Sequence, residues 1–350
     1  MLRRLVACFA LALTLAACDH GHDHHGAAAG NLYVMNQGEA SVSVLDPATG
    51  ALVKTIRLPA LGFSATAQPH FAAFEADGSA WYLTLIGDNK VVKFDAKDAV
   101  VAQATTNQPG MIALGSGAAA GQLAVSRSLS AVNPPASVAI INRRTMAVVE
   151  ERPIPAPHPH ALGSADGRFF TASLRQNLLS TLRPDGTSAT TTLAGADQNF
   201  SQLAVAPAHD RLAVSADLTG LVHFYAIRAD GTLAPEGTVA TGGRPWHSHF
   251  SLDGRTLYVP LFAANAVAVV DVAARAVVKT ITGNGLANPY TAMLSPDGKT
   301  LFVSNSNLNG AYAASAGGTV VWIDTATNAI TRVVEVGRNP TGLAILGSHH

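Results

Sequence analysis

An internal repeat constrains this chain more than any other feature. A short apolar strand ending in Asp, or in a residue standing in for it, recurs seven times. The copies are Val42-Ser-Val-Leu-Asp46, Val91-Val-Lys-Phe-Asp95, Val138-Ala-Ile-Ile-Asn142, Leu178-Leu-Ser-Thr-Leu182, Val222-His-Phe-Tyr-Ala226, Val267-Ala-Val-Val-Asp271 and Val320-Val-Trp-Ile-Asp324. The 278 residues from Asp46 to Asp324 span six steps, a period of about 46 that falls in the range of four-stranded blades. Asp-Gly pairs stand ahead of the copies at 77–78, 166–167, 253–254 and 297–298, and His209-Asp210 takes the same place before Arg211. Asp-Gly between apolar runs marks a tight hairpin, because a type I′ turn needs positive φ. Each unit therefore reads as strand a, turn, strand b, loop, strand c, turn, strand d. Seven such units predict an all-β, seven-bladed β-propeller. The ring starts at a strand b, Leu32-Tyr-Val34, and ends on a lone strand a, Asn339 to Leu346. The C-terminal strand is thus expected to complete the first blade and so remove two exposed sheet edges.

The first residues point to export. Arg3 and Arg4 precede an apolar run, Leu5 to Leu15, which is too short to span a bilayer as a helix but suits a cleaved signal. Leu15-Ala16-Ala17-Cys18 follows and resembles the bacterial lipobox. The expected organisation is a signal peptide over 1–17, a lipidated tether over 18–30 and the propeller over 31–350. Cys18 is the expected lipidation site and the membrane a partner through that anchor. Asp19 resembles the signal that keeps lipoproteins in the inner membrane, so the periplasmic face of that membrane is favoured over the outer membrane. Cys8 and Cys18 are the two cysteines, so the mature part has neither a disulfide nor a thiolate site. With 23 basic and 23 acidic residues and no basic stripe, nothing recommends nucleic acid as a partner.

The segment Ser295-Pro-Asp-Gly-Lys-Thr-Leu-Phe-Val-Ser-Asn305, with Val320-Val-Trp-Ile-Asp324 and Val336-Gly-Arg-Asn-Pro340 after it, resembles the YVTN-type propeller repeat. Blades one, six and seven carry the resemblance best, and blades three to five follow it only in pattern. It implies the fold and is silent on activity, since this fold hosts unrelated functions.

In a propeller the d–a junctions and b–c loops share one face, and strand a lines the central channel. The d–a junctions here begin with Pro69, Pro109, Pro159, Pro245, Pro289 and Pro340, and histidine concentrates beside them as His70, His158, His160, His247 and His249. They belong to blades two, four and six. Imidazoles meeting on an axis would hold Zn or Cu, and these five are the candidate ligands. Counted back from the next Asp-Gly, His160 and His247 stand six residues away and His249 four, whereas His70 stands seven away and needs a bulge to join them. An ordinary imidazole pKa near 6.5 predicts loss of such binding below about pH 6. Hydrogen-bonding strand starts or a wet channel lining would equally account for these histidines. Trp246 beside them is expected to staple the strand more than to wall a pocket.

A second candidate is the tether itself, where His20, His22, Asp23, His24 and His25 cluster directly after Cys18. A His-rich tract binds transition metals without a fold. A His/Asp-rich leader on a propeller is similar in layout to AztD-type periplasmic zinc-metallochaperone propellers, and histidine-held copper on a seven-bladed propeller is similar to nitrous oxide reductase. The expected function is therefore a membrane-anchored periplasmic protein that binds or delivers Zn or Cu, with a metal-transport or other periplasmic protein as partner. The alternative is a protein-interaction platform with no metal role. A lactonase-like hydrolase is third, alongside a tetrapyrrole binder of the heme d1 kind. Neither a Cys-x-x-Cys-His, a phosphate loop, a Gly-x-Ser-x-Gly nor a His-Glu-x-x-His occurs, so no heme, no nucleotide and no enzyme activity are expected.

Overall fold

A computed structural model describes residues 30–127 and 136–348. They form seven four-stranded antiparallel sheets, and six of the seven are contiguous in sequence. The exception closes the ring. Strand a of blade one is the C-terminal Pro340–Ile345, paired with Leu32–Asn36 so that Leu343 faces Val34 and Ile345 faces Leu32. These four side chains are buried with Met293, Phe302 and Trp322 of blade seven. Trp322 Nε1 also donates to the Pro47 carbonyl at 2.7 Å. The expected closure and blade count hold.

Strand burial follows from the architecture. Inner strands lie between neighbouring blades and are covered on both faces, so they read as unbroken apolar runs; Ser41–Leu45 and Ala80–Leu85 are buried throughout. The outermost strand d is a solvated edge, and Leu52–Arg57 is mostly exposed. The recurring aspartate that marked the repeat is turn chemistry. The Asp46 carboxylate accepts from the Ala48 and Thr49 amides at 2.9 and 2.7 Å. Asn142 does the same for Arg144 and Thr145, which is why it can stand in for Asp.

The start of strand a is the part of the fold that builds a site. In every blade the residue before it has positive φ: Gln68, Gln108, His158, Asn199, Arg244, Asn288 and Asn339. A proline follows in six blades and Phe200 in blade five. Just past that residue the register with strand b slips by one in all seven blades, for example between Pro69 and Ala72 and between Pro159 and Ala161. A bulge of this kind turns side chains away from their own sheet. The bulge expected for His70 alone is a property of every blade.

Register counted from the Asp-Gly pairs was off by one in blade four. Its strand a turns directly at Asp166-Gly167, with Ala165 opposite Arg168, whereas blade two makes a longer turn that joins the Glu75 amide to the Ala80 carbonyl. Strand a of blade four, Pro159–Ala165, is no shorter; its tighter turn brings the Asp-Gly pair one residue nearer the start of the strand. Pro69, Pro159 and Pro245 pair with the equivalent residues Leu85, Ser173 and Leu261. On that alignment His70 and His160 are equivalent, Trp246 is their counterpart in blade six, and His247 lies one residue further on.

Candidate functional site

Three of the histidines meet at the channel mouth. The ring centroids of His70 and His160 are 5.7 Å apart, those of His160 and His247 5.8 Å, and those of His70 and His247 6.4 Å. All three are buried. His70 and His160 reach this triangle from the bulge. His247, out of step by one residue, reaches it because blade six departs from the common pattern. Its strand a is regular only over His249–Phe250. Ahead of that, the chain leans onto blade seven: the His247 amide donates to the Tyr290 carbonyl at 3.1 Å, the Ala292 amide donates to the His247 carbonyl at 3.0 Å, and a parallel bridge joins His247 to Thr291.

Each imidazole is held through Nδ1 by a neighbouring blade. His160 Nδ1 lies 2.6 Å from the Ser201 carbonyl of blade five. A carbonyl only accepts, so Nδ1 carries the proton and Nε2 keeps a bare lone pair. His70 Nδ1 stands 3.2 Å from Gln37 Oε1 of blade one, and His247 Nδ1 3.1 Å from Thr291 Oγ1 of blade seven. Nε2 of His70 and of His247 is buried and has no hydrogen-bond partner. The backbone around the triangle is pinned as well: Thr341 Oγ1 donates to the His70 carbonyl at 3.1 Å and Ser201 Oγ to the Pro245 carbonyl at 2.9 Å.

Burial keeps these rings neutral. It pushes the His70 pKa down to about 3, with the neighbouring His160 adding to the effect. It pushes His160 down to about 4 against the opposing pull of the Ser201 carbonyl. His247 falls well below the ordinary range through burial first and then through His160 and His70. Neutral imidazoles with Nδ1–H tied to an oxygen are the form in which histidine binds a metal. A tetrahedral metal about 2.0–2.1 Å from each Nε2 would set ring centroids roughly 5.2 Å apart, so the triangle is too wide as it stands. Among the described residues, no group of three or more His, Cys, Asp or Glu side chains stands in an arrangement that could hold a metal ion.

The remaining candidates stand elsewhere. His158 is the positive-φ residue before strand a, and its carbonyl accepts from the Leu174 amide at 3.0 Å. His249 lies two residues beyond His247 and lines a cavity further along the channel. Cys18, His20, His22, Asp23, His24 and His25 lie outside the described residues.

Sequence reasoning missed the groups that set the histidines. Gln37, Ser201 and Thr291 are ordinary polar residues 33, 41 and 44 positions from their partners. Asp217 was missed too. Its carboxylate is almost fully covered and holds Arg244 through two contacts of 2.8 Å. It also accepts from Trp246 Nε1 at 3.1 Å and Asn199 Nδ2 at 3.2 Å. Trp246, fixed in this way, stacks on Tyr290 at 4.5 Å, and Tyr290 packs on His247 at 4.8 Å. The tryptophan is the staple that its position suggested.

No protein-family model matches the chain, and curated proteins give no sequence match. Solved structures do match in fold. The periplasmic gluconolactonase PpgL of Pseudomonas aeruginosa has a TM-score of 0.72 at 20% identity, over 91% of this chain and 99% of that one. A functionally unknown protein of Desulfotomaculum acetoxidans has a TM-score of 0.70 at 16% identity, over 90% and 98%. The dihydro-heme d1 dehydrogenase NirN has a TM-score of 0.61 at 14% identity, over 91% and 75%. Likeness at these identities carries the propeller fold and nothing finer.

Proposed function

We propose that the propeller binds one Zn or Cu ion at the channel mouth through His70, His160 and His247. The observation that carries this reading is the pair of buried, unpartnered Nε2 atoms on His70 and His247, in a triangle whose every Nδ1 is engaged by a neighbouring blade. A buried polar atom left unbonded costs about 1–3 kcal/mol, and a metal would recover that cost at both. Three nitrogen ligands and no thiolate suit Zn(II) or copper and leave a coordination position open for a further ligand.

The resemblance of residues 1–18 to an export signal and lipobox supports a site at a membrane surface, with Cys18 as anchor and the periplasm as compartment. The tether histidines would then capture metal loosely and pass it to the ring, for delivery to a transport or other periplasmic protein. The test is metal analysis after dialysis against Zn or Cu, on residues 31–350 and on the same segment with His70→Ala, His160→Ala and His247→Ala. One bound ion in the parent and none in the variant supports the proposal. No ion in either refutes it and leaves the interaction platform as the better account.

A further inference from the structure

Past the histidine layer the channel widens into a cavity of about 500 Å³. Its wall is mainly apolar, with Phe71, Ile112, Leu162, Leu203 and Phe250 among its residues. Gln202, Ser248 and His249 interrupt that wall. Gln202 follows Ser201 and Ser248 follows His247 in the chain, so this polar side adjoins the histidine triangle. The other end reaches the opposite face of the ring, where Glu75 of the blade-two a–b turn and Arg143 of the blade-three c–d turn line the cavity and pair with each other at 2.9 Å. Among the described lining residues these are the only Asp, Glu, Lys or Arg side chains.

We infer that this cavity binds a neutral amphiphilic organic molecule, its apolar body in the channel and one hydrogen-bonding head group at Gln202 and Ser248. The volume is that of cavities that enclose small organic ligands, which typically pair an apolar wall with a few placed polar groups. Gln202 and Ser248 are only 8% and 6% exposed, yet Gln202 Oε1 and Ser248 Oγ bond to nothing in the protein. Both atoms are themselves covered in the empty protein, where leaving them unbonded is costly; a head group with both a donor and an acceptor would answer them once the two side chains turn toward the cavity they line. An ionised ligand is disfavoured, because the two charged side chains in the wall neutralise each other and an unpaired buried charge is expensive. The inference does not depend on a bound metal.

The probe is 1-aminoanthracene, a neutral fluorescent molecule with an apolar body and one amine head, titrated into purified residues 31–350, which carry every strand of the closed ring and no lipid, stripped of metal with EDTA in detergent-free buffer. The expected result is saturable 1:1 binding with a blue-shifted emission. Ala113→Phe, which fills the cavity from its wall, should weaken binding at least about tenfold, the size of effect a single well-placed group in a small-molecule pocket has. Should that variant fail to fold, the double variant Gln202→Leu, Ser248→Ala decides. It removes both orphan atoms, so it should bind the probe more weakly while melting no lower than the parent. Absence of saturable binding, or equal affinity in the folded variants, overturns the inference. Because the titration is made without metal, failure of the metal site leaves this result intact, and the converse also holds.

Discussion

Acidifying the metal-free protein from pH 7 to pH 5 should destabilise it through the histidine triangle. In the unfolded chain each imidazole takes a proton near pH 6.5. In the folded chain His70 and His160 resist protonation until about 3 and about 4, and His247 is depressed in the same sense. The unfolded state therefore binds more protons throughout this window, so stability falls as pH falls from 6.5 toward the folded values. At pH 5 His70 and His160 each lose ~2 kcal/mol, roughly 4 kcal/mol together, and His247 adds to this; a typical domain has only about 5–15 kcal/mol in total. The exposed turn aspartates, such as Asp46, Asp95 and Asp324, have folded pKa values lowered by turn hydrogen bonds and act only below their unfolded value of 3.8. They are silent between pH 7 and 5. The assay is urea unfolding in EDTA at pH 7, 6 and 5 for the wild type and for a triple His70→Gln, His160→Gln, His247→Gln variant. The wild-type free energy should fall several kcal/mol further over this range than that of the variant, since the other histidines are common to both. Parallel pH dependences would mean that the three rings are solvated, and the account of their burial would be wrong.

Deleting Thr341 to Leu346 removes the buried Leu343 and Ile345, each worth about 1.5–3 kcal/mol, and exposes an edge of blade one; circular-dichroism melts should lose their cooperative transition. Thr291→Val strips His247 Nδ1 of its partner and should weaken Zn binding about 10–100-fold without changing the far-ultraviolet spectrum, which calorimetric titration would read. Cys18→Ser should release the protein from membranes, and a variant that still pellets after a high-salt wash would exclude the lipid anchor.

The ring was legible because its signals are local. The aspartate that closes the c–d turn in four of the seven blades and the unbroken apolar strand before it sit within ten residues of one another, and the lone strand a at the C-terminus left one way to close the circle. The site was legible only in outline. Histidines beside the strand-a prolines identified the channel mouth, and three of the five marked there do meet. Their register did not follow from the Asp-Gly pairs, because the a–b turn of blade four is tighter and brings its Asp-Gly pair one residue nearer the strand start. His247 enters the triangle only through its parallel bridge to Thr291, a tertiary event with no sequence signal. Ser201 and Thr291 lie 41 and 44 residues from their histidines, close to one repeat length, and Gln37 only 33, but nothing in the three sets them apart from other polar residues. The expected loss of binding below about pH 6 also changes: rings depressed to about 3 and about 4 compete with protons only at lower pH, and metal should stay bound to about pH 5.

X-ray absorption at the Zn edge of residues 31–350 loaded with one equivalent of Zn tests the central claim most directly. The account predicts three imidazole nitrogens at about 2.0–2.1 Å, with ring scattering that disappears in the His70→Ala, His160→Ala, His247→Ala variant. A spectrum with at most one imidazole, or one unchanged by the triple substitution, would contradict it.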